Sequence, residues 1–123
     1  MNKATILIVE DDNLISKFMS RAIDSAGFKS IVAENASTAR MLFMSEMPNL
    51  VLLDLGLPDA DGMDLLTEMK NIRSEIPVII VSARERENEK VTALDRGADD
   101  YVTKPFGIFE LMARIRTALR HSS

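Results

Sequence analysis

The feature that most constrains this chain is a regular alternation of short apolar segments with amphipathic ones. The five apolar segments are TILIVE (5–10), KSIVAE (29–34), LVLLDL (50–55), VIIVSA (78–83) and DYVTK (100–104). Each has the length of a strand, and the apolar residues between them recur at spacings of three and four, which predicts helices. Strict strand–helix alternation predicts a parallel sheet covered by helices on both faces.

The five predicted strands differ in polarity, and this difference predicts their order in the sheet. The first, third and fourth are nearly continuous apolar runs, typical of central strands, whereas the second and fifth are more polar, as expected at edges. The order 2-1-3-4-5 satisfies this pattern and places a ligand-binding switch point between strands 1 and 3. We therefore predict an α/β fold, a doubly wound (βα)5 three-layer sandwich, forming one domain over residues 1–123 with no second domain.

The helical segments differ in how firmly their apolar residues anchor them. The first is expected to stop at Gly27 and the second at Pro48. The fourth, RENEKVTALDRG, is mostly polar, with Val91 and Leu94 as its expected anchors. A lightly anchored helix is a candidate for an element with two arrangements.

Composition excludes several classes of protein. The chain has no Cys, so it forms neither disulfides nor thiolate metal sites. No apolar run reaches bilayer-spanning length, and the N-terminus lacks the layout of a signal peptide, so we expect a cytoplasmic protein with no membrane contact. A net charge of −4 argues against nucleic-acid binding through overall charge.

One carboxylate, Asp54, lies inside the most apolar predicted strand, where an unpartnered charge is costly. Its partners are predicted at the carboxyl ends of the other strands, which meet at one edge of a parallel sheet. The polar residues at those ends are Glu10, Asp11, Asp12, Ser82 and Lys104. The sequence thus predicts a crevice with several carboxylates, one hydroxyl and one ammonium.

Close carboxylates repel one another unless a cation joins them. Oxygen ligands without nearby Cys or His favour Mg²⁺, Mn²⁺ or Ca²⁺ over zinc, and Mg²⁺ keeps positions for water and phosphate. The backbone carbonyl of Gly56 is well placed in sequence to complete the shell. A carboxylate beside Mg²⁺ that faces an ammonium and a hydroxyl is equipped to attack a phosphoryl group.

The motifs LIVEDD, LLDLGLPDADG, VSA and GADDYVTKPF resemble those of response-regulator receiver domains, over essentially the whole chain. The resemblance implies the flavodoxin/CheY-like fold. It also implies that Asp54 accepts phosphate from the phosphohistidine of a sensor histidine kinase. Asp11 and Asp54 would ligate Mg²⁺ directly with the Gly56 carbonyl, while Asp12 or Glu10 would act through water.

The same resemblance assigns roles to residues of the later strands. Ser82 and Lys104 would contact the phosphoryl oxygens, and Tyr101 matches an aromatic position that swings inward as the Ser82 hydroxyl moves toward phosphate. The Lys104–Pro105 peptide resembles one that is cis in the family. The fourth helix, fifth strand and fifth helix would form the output surface.

Within the family, DLGLPDADG and ADDYVTKPFGIFELMARIRTALR resemble the OmpR/PhoB class of transcriptional regulators, especially those of potassium-transport operons. In that class the receiver precedes a DNA-binding domain and dimerises through the output surface when phosphorylated. By position, Lys90 with Glu110 and Asp100 with Arg114 resemble the ion pairs between subunits. Since the chain stops at LRHSS, it is either an excised receiver or a stand-alone one.

Each of these features also has an ordinary structural interpretation. Acidic residues after a strand often cap the next helix, a Lys-Pro pair is often a turn, and an aromatic residue on an edge strand often only packs. Two other functions stay open on sequence alone: a Mg²⁺-dependent phosphohydrolase of similar fold, and a module that binds partners without phosphorylation. We expect the switch rather than an enzyme, because Gly56 stands where such hydrolases carry a second acid.

Overall fold

The computed structural model describes residues 3–122, which form five strands and five helices in strict alternation. The strands are β1 (Thr5–Val9), β2 (Lys29–Ala33), β3 (Leu50–Leu53), β4 (Val78–Ser82) and β5 (Asp100–Thr103). The helices are α1 (Asn13–Ser25), α2 (Ala36–Glu46), α3 (Gly62–Ile72), α4 (Glu87–Asp95) and α5 (Ile108–Ser122). None of these helices has the length and hydropathy needed to cross a membrane.

The strands form one parallel sheet in the order β2-β1-β3-β4-β5, which confirms the predicted topology. Strands β1, β3 and β4 are almost entirely buried, whereas β2 and β5 are partly exposed, as their polarity predicts for edges. The chain therefore reverses its winding between β1 and β3, where the carboxyl ends leave a crevice.

Two apolar cores lie on opposite faces of the sheet, because successive side chains of each strand point to opposite sides. In β1, Leu7 and Val9 pack under α2 and α3, while Ile6 and Ile8 pack under α1 and α5. Helix α4 contributes to the first core through Ala93. The sheet is thus the middle layer of a three-layer sandwich.

The central strands end one or two residues earlier than predicted. Glu10 follows the last residue of β1, and Asp54 follows the last residue of β3. Their N–H groups still donate to the neighbouring strands, Glu10 N to Ala33 O at 3.0 Å and Asp54 N to Val9 O at 3.0 Å. The chain leaves the sheet directly afterwards, so both carboxylates lie at its carboxyl edge.

The predicted anchors of α4 are wrong. Val91 and Leu94 are 48% and 47% exposed, and the buried residue of this helix is Ala93. A small alanine lets α4 lie close to the sheet, but it buries little apolar area, so the helix is held even more lightly than the sequence predicts. Arg86, which precedes α4, makes no side-chain cap within the described residues.

Candidate functional site

Three carboxylates meet at the carboxyl ends of β1 and β3. One oxygen from each of Glu10, Asp11 and Asp54 lies within 4.8 Å of the others. Glu10 and Asp54 are buried at 1% and 9% exposure, whereas Asp11 is open to solvent. An all-oxygen cluster with one exposed member suits a hard divalent cation that keeps part of its water shell.

Lys104 supplies the ammonium that faces these carboxylates. Its Nζ lies 2.5 Å from Glu10 Oε1 and 3.3 Å from Asp54 Oδ2, although the chain reaches it only after β5. Burial of the ammonium acts to lower the pKa of Lys104, but the hydrogen bond to Glu10 and the charges of both carboxylates outweigh it and raise the pKa. Lys104 therefore stays a cation. Its peptide with Pro105 is cis.

Glu10 is the carboxylate most removed from water. Burial raises the pKa of Glu10, and the bonds from Lys104 and from the Asp12 N–H, which lies 3.1 Å from Glu10 Oε2, oppose that rise. Both Glu10 oxygens thus have partners in the protein.

Asp12 caps a helix and is not one of the three carboxylates of the cluster. Its Oδ1 accepts hydrogen bonds from Leu14 N at 2.9 Å and Ile15 N at 3.1 Å, which makes it the N-cap of α1. The helix-capping interpretation thus describes Asp12. Of the two residues that the resemblance offers for contact through water, Glu10 is the one that lies in the carboxylate cluster.

The loop after β3 wraps around Asp54. Gly56 N donates to Asp54 Oδ1 at 3.2 Å, and Gly62 N donates to Leu55 O at 2.8 Å. A Cβ at Gly62 would lie 2.5 Å from the Asp54 carbonyl oxygen, so glycine alone permits this approach. The loop is thereby closed against the end of β3, and the exposed Gly56 pairs with Asp61 in a β-bridge.

Ser82 and Tyr101 meet at the start of the β4–α4 loop. The buried Ser82 Oγ accepts from Arg84 N at 3.1 Å, and the Tyr101 hydroxyl donates to Arg84 O at 2.7 Å. Burial raises the pKa of Tyr101, although the neighbouring Ser82 hydroxyl opposes this rise. The half-buried ring therefore points toward the site, with its hydroxyl bonded to the loop that leads into α4.

Arg84 extends its guanidinium across the mouth of the crevice. It lies 3.5 Å from Leu55 O, 3.6 Å from Asp61 Oδ1 and 3.8 Å from Glu89 Oε2. All three are long contacts for a group with five N–H donors. By position, two residues after Ser82, Arg84 matches a site in the family that tunes hydrolysis of the acyl phosphate, but the motif VSA does not show where its side chain points.

The four residues of the expected dimer face are engaged within one chain. Arg114 binds Asp100 Oδ2 at 3.0 Å and Glu110 Oε1 at 2.8 Å, and Lys90 Nζ lies 5.8 Å from the centre of the Tyr101 ring. The structure thus brings together Asp100 and Arg114, as predicted for a pair between subunits, but it does so inside the chain. Glu110 is bound to Arg114 and not to Lys90.

These features, a parallel doubly wound sheet with a carboxylate cluster and a lysine at its switch point, define a class of protein. The chain belongs to the response regulator receiver domain family, whose model matches residues 6–116.

Individual relatives agree with this assignment. The chain is 45% identical over 118 residues to the KDP operon transcriptional regulatory protein KdpE of Escherichia coli, covering 96% of this chain and 52% of that protein. It is 42% identical to the transcriptional regulatory protein KdpE of Staphylococcus aureus, covering 96% and 51%. The chain thus spans about half the length of these curated relatives.

Among solved structures, the chain is similar to a CheY-like response regulator receiver domain protein from Methanospirillum hungatei. The TM-score is 0.95 and the identity 29%, covering 98% of this chain and 97% of that one. The agreement extends over the whole sandwich, so the predicted CheY-like fold is confirmed.

Proposed function

We propose that this receiver domain, over residues 1–123, is a phosphorylation-activated switch of a two-component system, with Asp54 as the phosphoacceptor. The observation that carries the proposal is the position of the Asp54 carboxylate, which has an oxygen within 4.8 Å of ligand atoms of Glu10 and Asp11 and its Oδ2 3.3 Å from Lys104 Nζ. A carboxylate that lies at a candidate metal site and beside an ammonium has the partners needed to take up a phosphoryl group.

The metal in this proposal is Mg²⁺, for which Mn²⁺ can substitute. Asp11, Asp54 and the Gly56 carbonyl would hold it directly, and Glu10 through water, whereas Asp12 already caps α1. An ion held by these residues would supply positive charge to neutralise the phosphoryl oxygens. The exposed side of Asp11 leaves room for the water that Mg²⁺ retains.

In the reaction, an Asp54 oxygen forms a bond to phosphorus as the bond from phosphorus to the donor nitrogen of a sensor kinase's phosphohistidine breaks. The electron pair of that bond returns to the histidine nitrogen. Lys104 neutralises one phosphoryl oxygen, and the Ser82 hydroxyl donates to another. Ser82 is buried and Lys104 is partly buried, and the ammonium of Lys104 already lies 3.3 Å from Asp54 Oδ2, so Lys104 needs little reorganisation.

The phosphoryl group adds about −1.5 to −2 charges near neutral pH, and this charge needs a movable element to act at a distance. Ser82 and Tyr101 both bond to Arg84 in the β4–α4 loop, and the next helix is anchored mainly by Ala93. We infer that phosphorylation shifts α4, β5 and α5, and that this face then forms a homodimer.

The proposed output is control of transcription, which the names of the relatives state for those proteins. It would act through a DNA-binding domain, as the resemblance to the OmpR/PhoB class implies. The receiver itself would contact the sensor kinase and its own copy, not nucleic acid, in the cytoplasm. It would catalyse at most its own phosphorylation and dephosphorylation, because Gly56 offers no second acid two residues after Asp54.

The test is the intact mass of the protein after incubation with acetyl phosphate and Mg²⁺, with an Asp54→Asn variant and an EDTA sample as controls. We expect one added phosphoryl group on the wild type, only with metal and none on the variant. An unmodified wild type that does not consume the donor, or an equal adduct on Asp54→Asn, would refute the role of Asp54.

A further inference from the structure

The loop that surrounds Asp54 is tied to α2 by a single side chain, Asp59. Its Oδ1 accepts from Ala36 N at 2.7 Å and its Oδ2 from Ser37 N at 3.0 Å. These two oxygens thus satisfy two of the first N–H groups of α2, from a residue more than twenty positions away in sequence.

Helix α2 already has a cap of its own. Asn35 Oδ1 accepts from Thr38 N at 2.8 Å, which leaves the N–H groups of Ala36 and Ser37 for another partner. At an exposed helix end, water is the usual partner of such groups. The hydrogen bonds from the Ala36 and Ser37 N–H groups lower the pKa of Asp59. The helix dipole also favours a carboxylate at this end of a helix. Asp59 is exposed, but both of its oxygens contact α2.

The other attachments of this loop are at its two ends. Near β3, Gly56 N bonds to the Asp54 carboxylate, and near α3, Asp61 Oδ1 caps the helix by accepting from Met63 N at 2.9 Å. Leu57 and Ala60 add partial apolar packing. Gly56 also pairs with Asp61 in a β-bridge, and Asp61 lies 3.6 Å from Arg84 of the β4–α4 loop. Asp59 lies between these points, and its side chain is the one that joins the loop to α2.

We propose that Asp59 is a positioning residue for the metal site: its bridge to the N-terminus of α2 holds the loop that carries the Gly56 carbonyl against the carboxylate cluster. This inference rests on the proposed function, since it assumes Mg²⁺ at that cluster. The inference also predicts an effect at the N-terminus of α2. A cation that fixes the loop should change the surroundings of the Ala36 and Ser37 amides, because Asp59 connects them to that loop.

The experiment measures Mg²⁺ binding by titration calorimetry and by amide spectra of ¹⁵N-labelled protein. The variants are Asp59→Ala, Asp59→Asn and, as a matched control, Asp24→Ala. Asp24 is also an exposed aspartate that accepts a backbone N–H from another element, Ser30 N at 3.1 Å, but it lies away from the site. Loss of a contact that orients a metal ligand typically weakens metal binding about tenfold or more.

We expect Asp59→Ala to raise the Kd for Mg²⁺ about tenfold, Asp59→Asn to have a smaller effect because one acceptor oxygen remains, and Asp24→Ala to have none. In the wild type, Mg²⁺ should shift the Ala36 and Ser37 amide signals. If the wild type binds Mg²⁺ and Asp59→Ala binds it within about twofold of that affinity, Asp59 does not position the site and the proposed function is unaffected. If the wild type binds no Mg²⁺, both proposals are wrong.

Discussion

At the scale of single residues, Lys104 provides the positive charge that compensates two buried carboxylates. Its ammonium is shared between Glu10 and Asp54, both of which are largely excluded from water. Removing one member of a buried charged group is costly because it leaves the others without compensation. The same position makes Lys104 a competitor of any cation that enters the cluster.

We therefore predict that Lys104→Ala lowers the free energy of unfolding by roughly 1–3 kcal/mol in EDTA and by less with Mg²⁺. The variant should also bind Mg²⁺ more tightly, since no ammonium holds the carboxylates. Urea unfolding with and without Mg²⁺ measures both effects. Lys70→Ala is the matched control, because Lys70 pairs with Asp99 at 2.9 Å away from the cluster and should lose the same stability in both buffers. An identical loss in both buffers for Lys104→Ala would contradict the prediction.

Some residues of the site are predictable from sequence and others are not, for a physical reason. Asp54 stands out because a carboxylate in an apolar run needs partners, and strand order brings Glu10 and Lys104 to the same edge. An acidic cap of α1 is predictable from the sequence. Which of the three acidic residues after β1 forms that cap, and where the side chains of Asp59 and Arg84 lie, depends on where a side chain points after it leaves a strand or a turn. Spacing along the chain carries no information on that direction.

At the scale of elements, the face formed by α4, β5 and α5 combines a lightly held helix with charges that are bound within the chain. The sequence predicted the strands and helices well because their apolar periods differ, but it misjudged α4. In a short polar helix, Val91 and Leu94 were the most apolar residues, yet the small Ala93 fits the close approach to the sheet. The hydropathy of a sequence shows how large and apolar each side chain is. It does not show how much space the fold leaves for that side chain between the helix and the sheet.

Arg114 is the residue of this face on which we base a prediction. Exposed ion pairs contribute little to stability, so Arg114→Ala should lower the unfolding free energy by less than about 1 kcal/mol. If the face forms the dimer, the same variant should stay monomeric with acetyl phosphate and Mg²⁺ while the wild type dimerises. Size-exclusion chromatography with light scattering distinguishes the two states.

The control for this experiment is Arg40→Ala. Arg40 binds Glu68 at 2.7 Å between α2 and α3, so its loss removes a similar exposed pair from a different face. Arg40→Ala should dimerise like the wild type. Dimerisation of phosphorylated Arg114→Ala to the wild-type extent would show that this face is not the interface.

At the scale of the whole molecule, the carboxylate cluster links metal binding to folding. A ligand that binds only the folded state stabilises it by mass action, by about 1.4 kcal/mol at tenfold excess over its Kd. For a domain of this size that corresponds to an increase in Tm of roughly 3–6 °C. The wild type should show such a shift when Mg²⁺ is added.

Asp11→Ala should lose this Tm shift, because the exposed ligand is gone, and should be slightly more stable than the wild type in EDTA, where repulsion in the cluster is reduced. Differential scanning calorimetry at several Mg²⁺ concentrations measures both. Glu46→Ala, which removes the same charge from an exposed position on α2, should retain the full shift. A Tm that rises equally with Mg²⁺ in Asp11→Ala would exclude Asp11 as a ligand.

The contact between Lys104 and Glu10 joins residues 94 positions apart. A ribosome must therefore release most of the chain before the carboxylates of β1 and β3 meet their ammonium, and contacts of such separation form late and slowly. A nascent or partly unfolded chain would have the acidic residues without the cation that completes the site. Phosphorylation of Asp54 would then be confined to molecules that have finished folding. An unfolded or damaged copy of the protein would not become phosphorylated and would therefore not transmit the signal.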